Sequence, residues 1–209
     1  MKEPPAALAA ALSAAETESG VAVYERGKAP VSALVFSQAL YNTCASNVCG
    51  HYNRSWTCPP GAGTLEEQRE KILAWQNVLV FTTKYDLEDS FDYEGMTEGR
   101  ERHTRLTLCF RERLEKAGAA FPVYGAGSCP SCRPGKPIDG LTGGEDNYCS
   151  FPAPCRRPEK KIGSIEAAGI NVTELSKAAG VKYHNGPNTV TYFSMVLWKS
   201  SEPGYGRKE

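Results

Sequence analysis

The 209-residue sequence contains no long hydrophobic run and no excess of either charge. Its apolar stretches stop well short of the roughly 18 residues that a membrane-spanning helix needs, so no membrane association is expected. Lys and Arg together number 24, and Asp and Glu also number 24. The basic excess or stripe of a nucleic-acid-binding surface is therefore missing, and no nucleic-acid partner is expected. The first twenty residues are rich in Ala but carry Lys2, Glu3, Pro4, Pro5, Glu16 and Glu18. They lack the basic-then-apolar order of a secretory signal. These absences predict a cytoplasmic protein. In that compartment clustered cysteines bind metal or do redox chemistry more often than they form disulfides. The sequons at Asn53 and Asn171 are then chance matches. No internal repeat and no dividing linker is evident, and the length suits one core with a small metal lobe.

What is present alternates between helix and strand patterns. An Ala-rich stretch, 6–15, predicts a short helix. Residues 21–24 and 32–37 read as strands, with Lys28-Ala29-Pro30 as the turn between them. Thr64 and Glu67 form a capping-box pattern that starts a helix running to about Trp75. The continuous apolar run 78–83 predicts a buried strand. Residues 86–95 are acidic and irregular and predict a loop. Thr97 to Ala117 reads as a long helix, with Leu106, Cys109, Phe110 and Leu114 at three- and four-residue steps and Gly118 as its stop. Phe121 to Tyr124 is a short strand. Asn171 and Glu174 open a short helix that Gly180 closes, and Thr189 to Lys199 is the strongest strand. This alternation predicts a single α/β domain spanning 1–209, with a mixed sheet flanked by helices. Two cysteine-rich loops, about 41–63 and 125–158, interrupt it, and 200–209 reads as a disordered tail.

Seven of the eight cysteines lie in those loops. Cys44, Cys49 and Cys58 are spaced C-x4-C-x8-C, with Pro59 and Pro60 following. Cys129, Cys132, Cys149 and Cys155 are spaced C-x2-C-x16-C-x5-C. The surrounding Pro and Gly suit a chain that wraps a metal centre, and a Cys-Pro step also ends cysteine series in ferredoxins. Three thiolates would leave one iron of a [4Fe–4S] cluster without a protein sulfur. His51, inside the first loop, is a candidate for that place, set against the plainer reading of a loop histidine. The second group could close a four-thiolate site. Zinc is its alternative occupant, although a zinc ribbon wants its second pair two residues apart. Cys109, on the apolar helix face, is expected in the core. Arg156, Arg157, Lys160 and Lys161 crowd the second group and would tune a cluster there, or else form a solvated basic turn. Ser164 and Glu166 are candidate catalytic residues, or else the cap of a short helical turn.

Five motifs follow one another in order. They are Cys44-x4-Cys49, Ser55-Trp56-Thr57-Cys58-Pro59-Pro60, Gly127-Ser128-Cys129-Pro130-Ser131-Cys132, Cys155-Arg156-Arg157-Pro158 and Ser164-Ile165-Glu166-Ala167-Ala168-Gly169-Ile170-Asn171-Val172. Together they resemble a family of predicted metal-binding proteins of unknown function, common in anaerobic bacteria and archaea. The resemblance spans about 35–198. It implies iron–sulfur or other metal binding and no particular activity. Members carry a tight run of cysteines after the C-x2-C. The 16-residue Gly- and Pro-rich insert before Cys149 departs from that pattern and leaves the third ligand of the second group open.

The leading expectation is therefore an iron–sulfur protein with two [4Fe–4S] clusters that handles electrons for a partner protein. One alternative is an enzyme that binds a small-molecule substrate at the open iron of the three-cysteine cluster, as in sulfur removal or dehydration. The other is a zinc-stabilised interaction module without redox activity.

Overall fold

The two richest apolar runs pair along their whole length. Strand β2 (Asn77–Asp86) and strand β5 (Thr189–Trp198) form an antiparallel ladder from Asn77↔Trp198 to Asp86↔Thr189. The computed structural model describes residues 4–132, 149–184 and 186–199. The expected tail at 200–209 and the middle of the second cysteine loop lie outside the described residues. Around the central pair stand β1 (Glu25–Pro30), β3 (Val123–Gly125) and β4 (Ile162–Ser164). The sheet order is β1-β2-β5-β3-β4, antiparallel except for the parallel β3–β4 pair. Among the described residues five α-helices accompany it: α1 (Ala6–Ser19), α2 (Gln38–Thr43), α3 (Leu65–Leu73), α4 (Tyr93–Lys116) and α5 (Val172–Ala179). The fold is a mixed α/β single domain.

Period-two alternation splits the core in two. Val78 and Val80 of β2, with Phe193, Met195 and Leu197 of β5, join Ile72 of α3 and Leu175 of α5 on one face. Leu79, Phe81, Val196 and Trp198 join Leu8 and Leu12 of α1 and Leu106, Phe110 and Leu114 of α4 on the other. Both faces are covered, which is why these strands read as unbroken apolar runs. Each buried large side chain contributes about 1.5–3 kcal/mol. Cys109 is buried in the second of these clusters, as expected for a core cysteine.

The N-terminal strand assignment needs correction. The segment expected as a turn, 28–30, is the end of β1, and the start of the strand expected at 32–37 falls in a 3-10 turn, Val31–Ala33. An edge strand pairs on one side only, so Glu25, Arg26 and Lys28 are tolerated there and Pro30 ends it. Gly27 is required, because a Cβ there would collide with the Ala179 carbonyl and Val181. Helix α4 begins before the expected Thr97. Asp92 caps it by accepting the Gly95 N–H at 2.7 Å and also takes the Glu88 N–H at 3.1 Å. These backbone donors hold its carboxyl below the usual range. Strand β4 has no signal in Ile-Gly-Ser and exists because β3 lies beside it. The capping box of Thr64 and Glu67, and the Asn171 cap and Gly180 stop of α5 (φ +69°), stand where the sequence puts them.

His103 of α4 is buried under the sheet. Its Nδ1 meets Thr83 Oγ1 at 2.9 Å and its Nε2 meets Ser194 Oγ at 2.9 Å. Thr107 Oγ1 adds a bond to Ser194 Oγ at 2.8 Å. Burial pushes its pKa from 6.5 down to about 4, so the folded state favours the neutral ring. Its contribution to stability is fully present above pH 6.5 and is lost as the pH falls towards 4. A wild-type melting temperature that declines from pH 6.5 to 5, with a flatter His103→Gln profile, is the expected result. The difference should grow to about 3 kcal/mol near pH 4. Parallel profiles would show that the ring does not carry this titration.

Candidate metal centre

The two cysteine loops leave the fold at neighbouring places. Ser37 caps α2, accepting the Leu40 N–H, and the helix delivers Cys44 at its C-terminal end. Cys44 then opens a 3-10 turn, with Asn47 in the left-handed region (φ 53°) closing it. Thus the first loop is not wholly irregular. Cys49 is exposed and Cys58 buried. The second loop follows β3 directly and crosses over to the start of β4; because the two strands are parallel, its exit after Gly125 lies beside the turn that follows Ser164.

The loops are joined to each other. The Cys129 N–H donates to Thr57 Oγ1 at 2.8 Å. The Trp56 N–H donates to Cys149 Sγ at 3.4 Å, and the Trp56 Nε1–H donates to the Ala153 carbonyl at 2.9 Å. Trp56 and Phe151 meet edge to face, with centroids 5.0 Å apart. Gly61 completes the fit, since a Cβ there would lie 2.7 Å from the Ser55 carbonyl and 2.8 Å from the Phe151 ring. A cleft of about 470 Å³ opens at this junction, lined by Trp56, Pro60, Gly61, Glu67, Lys71 and Phe151 among others.

Within the second group, burial raises the Cys132 thiol, and the nearby Cys129 and Cys155 raise it further. Arg157 and Arg156 pull the other way. Arg157 also donates to the Ser131 carbonyl at 3.0 Å, and Ser131 Oγ donates to the Lys160 carbonyl at 2.6 Å. The basic stretch is thus built into the cysteine loop. Cys129 Sγ accepts the Ile162 N–H at 3.5 Å. Cys129 and Cys155 both lie within electrostatic range of Cys132, while the sulfur of Cys149 faces Trp56 of the first loop.

In the first group, burial raises the Cys44 thiol, with Cys49 and then Glu166 adding to it. Glu166 Oε2 accepts the Gly127 N–H at 3.0 Å and the Ser164 hydroxyl at 2.9 Å. Ser164 Oγ in turn accepts the Ala167 N–H at 3.1 Å, the cap of a helical turn. His51 is half-buried in the loop, its carbonyl accepting the Arg54 N–H at 3.1 Å. His184 contacts the Tyr24 hydroxyl at 3.3 Å, far along the chain from both loops.

The residue types are those of a metal centre: neighbouring sulfurs raise the Cys44 and Cys132 thiols, and a bound metal would reverse that by binding the thiolate form. Among the described residues, no group of three or more His, Cys, Asp or Glu comes together tightly enough for a single metal ion. No disulfide joins any of the eight cysteines. Thr57, Trp56 and Arg157 support the cysteines through the backbone. Their neighbourhood to the motif cysteines was the sequence signal for them, but the cross-loop partners of Thr57 and Trp56 lie roughly 70 to 100 residues away.

An α/β domain carrying two joined, cysteine-rich loops is the framework of a metal-binding protein. The chain belongs to the family described as "Predicted metal-binding protein (DUF2284)", whose model matches residues 28–198. No curated protein and no solved structure matches it. Among the described residues, no helix is long and apolar enough to cross a membrane.

The Thr57 bond sets the spacing of the loops and can be tested alone. Thr57→Val leaves the Cys129 N–H without its acceptor and should lower stability by about 1–3 kcal/mol in urea unfolding, with Thr57→Ser near wild type. Equal midpoints for the two variants would remove this bond from the account.

Proposed function

We propose that the protein binds two iron–sulfur clusters, one on Cys44, Cys49 and Cys58 and one on Cys129, Cys132, Cys155 and Cys149, and passes electrons to a partner protein. The observation that carries this reading is the joining of the two cysteine loops through Trp56, Thr57, Cys129 and Cys149. Centres held on loops so joined would be close enough to act in series. Backbone N–H groups aimed at Cys149 and Cys129, and cations beside Cys132, are the means by which a protein raises a cluster's reduction potential. A cluster spreads its thiolates over several irons. The looser cysteine sets suit it better than the tight shell of a lone zinc ion, with bonds near 2.3 Å. When bound, the clusters supply one-electron chemistry. The chain's own residues position the sulfurs, shield Cys58 from solvent and leave Cys49 exposed for approach. Val48, 93% exposed, adds an apolar contact beside it.

The cleft at Trp56 and Phe151 favours a second reading, an enzyme whose substrate reaches an open iron of the first group. The two readings separate on ligand binding. A substrate-like ligand that alters the spectrum of the first group supports the enzyme, and an inert spectrum with rapid electron exchange supports the carrier.

Anaerobic purification followed by iron, sulfide and zinc analysis tests the metal. Cys44→Ser, Cys49→Ser and Cys58→Ser should each remove about four irons per chain. Cys129→Ser, Cys132→Ser and Cys155→Ser should remove a separate set. Zinc in place of iron, or iron unchanged in all six variants, would overturn the reading.

Removing the metal should also lower the melting temperature and open residues 41–63 to protease. Long loops persist in a compact domain when something ties them down, and ligation to a site absent from the unfolded chain adds its binding energy to folding. Identical melting and digestion with and without metal would show that the centres are not structural.

A further inference from the structure

We propose that Glu166 supplies an oxygen ligand to the first cysteine group, filling through Oε1 the place that Cys44, Cys49 and Cys58 leave open. This rests on the reading of that group as an iron–sulfur site.

The placement is built by the turn at 164–170, which follows β4. That turn packs against the segment leading to Cys44. The Ser37 N–H donates to the Gly169 carbonyl at 2.8 Å, and Phe36 bridges Ile170. Gly169 has φ +67°, and a Cβ on it would lie 3.1 Å from the Ser37 carbonyl and 3.5 Å from Tyr41 Cβ. Ser37 and Tyr41 flank and line α2, the helix that ends at Cys44. The turn therefore sits directly behind the first cysteine.

Orientation comes from two bonds that both fall on one oxygen. Ser164 and Gly127 hold Oε2, which leaves Oε1 to coordinate. Ile165, Ala167, Ala168 and Ile170 are all buried to 2% exposure or less, whereas Glu166 is exposed. The turn thus presents a single outward carboxylate, and it does so between the first group and Gly127 at the root of the second. Glu166 lies within electrostatic range of Cys44.

The chemistry favours a carboxylate in this place. Three thiolates satisfy three irons of a cubane, and the fourth needs one more donor. A carboxylate binds iron more weakly than a thiolate does. It would hold the fourth iron at rest and give way to an incoming ligand. Ser164 is then a positioning residue, acting through Glu166.

The test uses the full chain, purified anaerobically, with electron paramagnetic resonance of the reduced protein and cyanide as the probe of an open iron. Glu166→Gln keeps an oxygen that can accept the Gly127 N–H but removes the anionic ligand. It should retain the iron of the first group, change its g-values and bind cyanide about tenfold more tightly, since a vacant site no longer has an internal competitor. Ser164→Ala should lower the melting temperature with only a small spectral change. His51→Ala should leave the spectrum as in wild type. A Glu166→Gln protein with wild-type g-values and cyanide affinity would overturn the proposal, and so would a spectrum that responds to His51→Ala alone. Should Glu166→Gln not fold, Glu166→Asp keeps the charge on a shorter stem and must shift the same signals. Its silence would overturn the assignment equally. If the three Cys→Ser changes leave iron unaltered, the cluster reading fails. If they remove it and Glu166→Gln is silent, only the carboxylate ligand fails.

Discussion

The antiparallel pairing of β2 and β5 governs where everything else can stand. Ten residues of each strand lie in register. Their alternating side chains create two separate cores, one closed by α3 and α5 and the other by α1 and α4. Strand β3 adds to the free side of β5, and β4 adds to β3 in parallel. In that parallel pair the exit of the second cysteine loop lies beside the end of β4, which sets the turn bearing Glu166 beside Gly127. A one-residue slip in the central ladder would reverse which side chains face each core, and would displace the loops with them.

The loops are organised by backbone bonds more than by apolar burial. Thr57 and Trp56 hold the second loop against the first, and Arg157 ties the basic stretch to Ser131 between Cys129 and Cys132. A metal bound to these cysteines, as proposed, would add its binding energy to the stability of the loops.

Local chemistry made several elements readable. Thr64 with Glu67, and Asn171 with Gly180, announce helix ends because capping is decided within a few residues. The central strands are readable because burial on both faces demands continuous apolar sequence. Strand β1 was misread because its polar residues and Pro30 resemble a turn until β2 is placed beside it. The start of α4 was misread because the acidic stretch 86–95 looks irregular, although Asp92 within it caps the helix by accepting the Gly95 N–H. Gly99 is there to admit the Tyr85 and Tyr192 rings, a demand from the sheet and not from the helix.

The candidate site divides along the same line. Cysteine spacing, Cys-Pro steps and ordered motifs are local properties, so the candidate donor residues and the metal-binding family were legible in the chain. The partners of those donors were not. His103 gains Thr83 and Ser194, Cys149 gains the Trp56 N–H, Cys129 gains Thr57, and Glu166 gains Gly127, each across 20 to 93 residues. A sequence states which groups can donate, accept or bind because that is fixed by each side chain. Which of them meet depends on strand order and loop closure, which are settled only when the two cores pack.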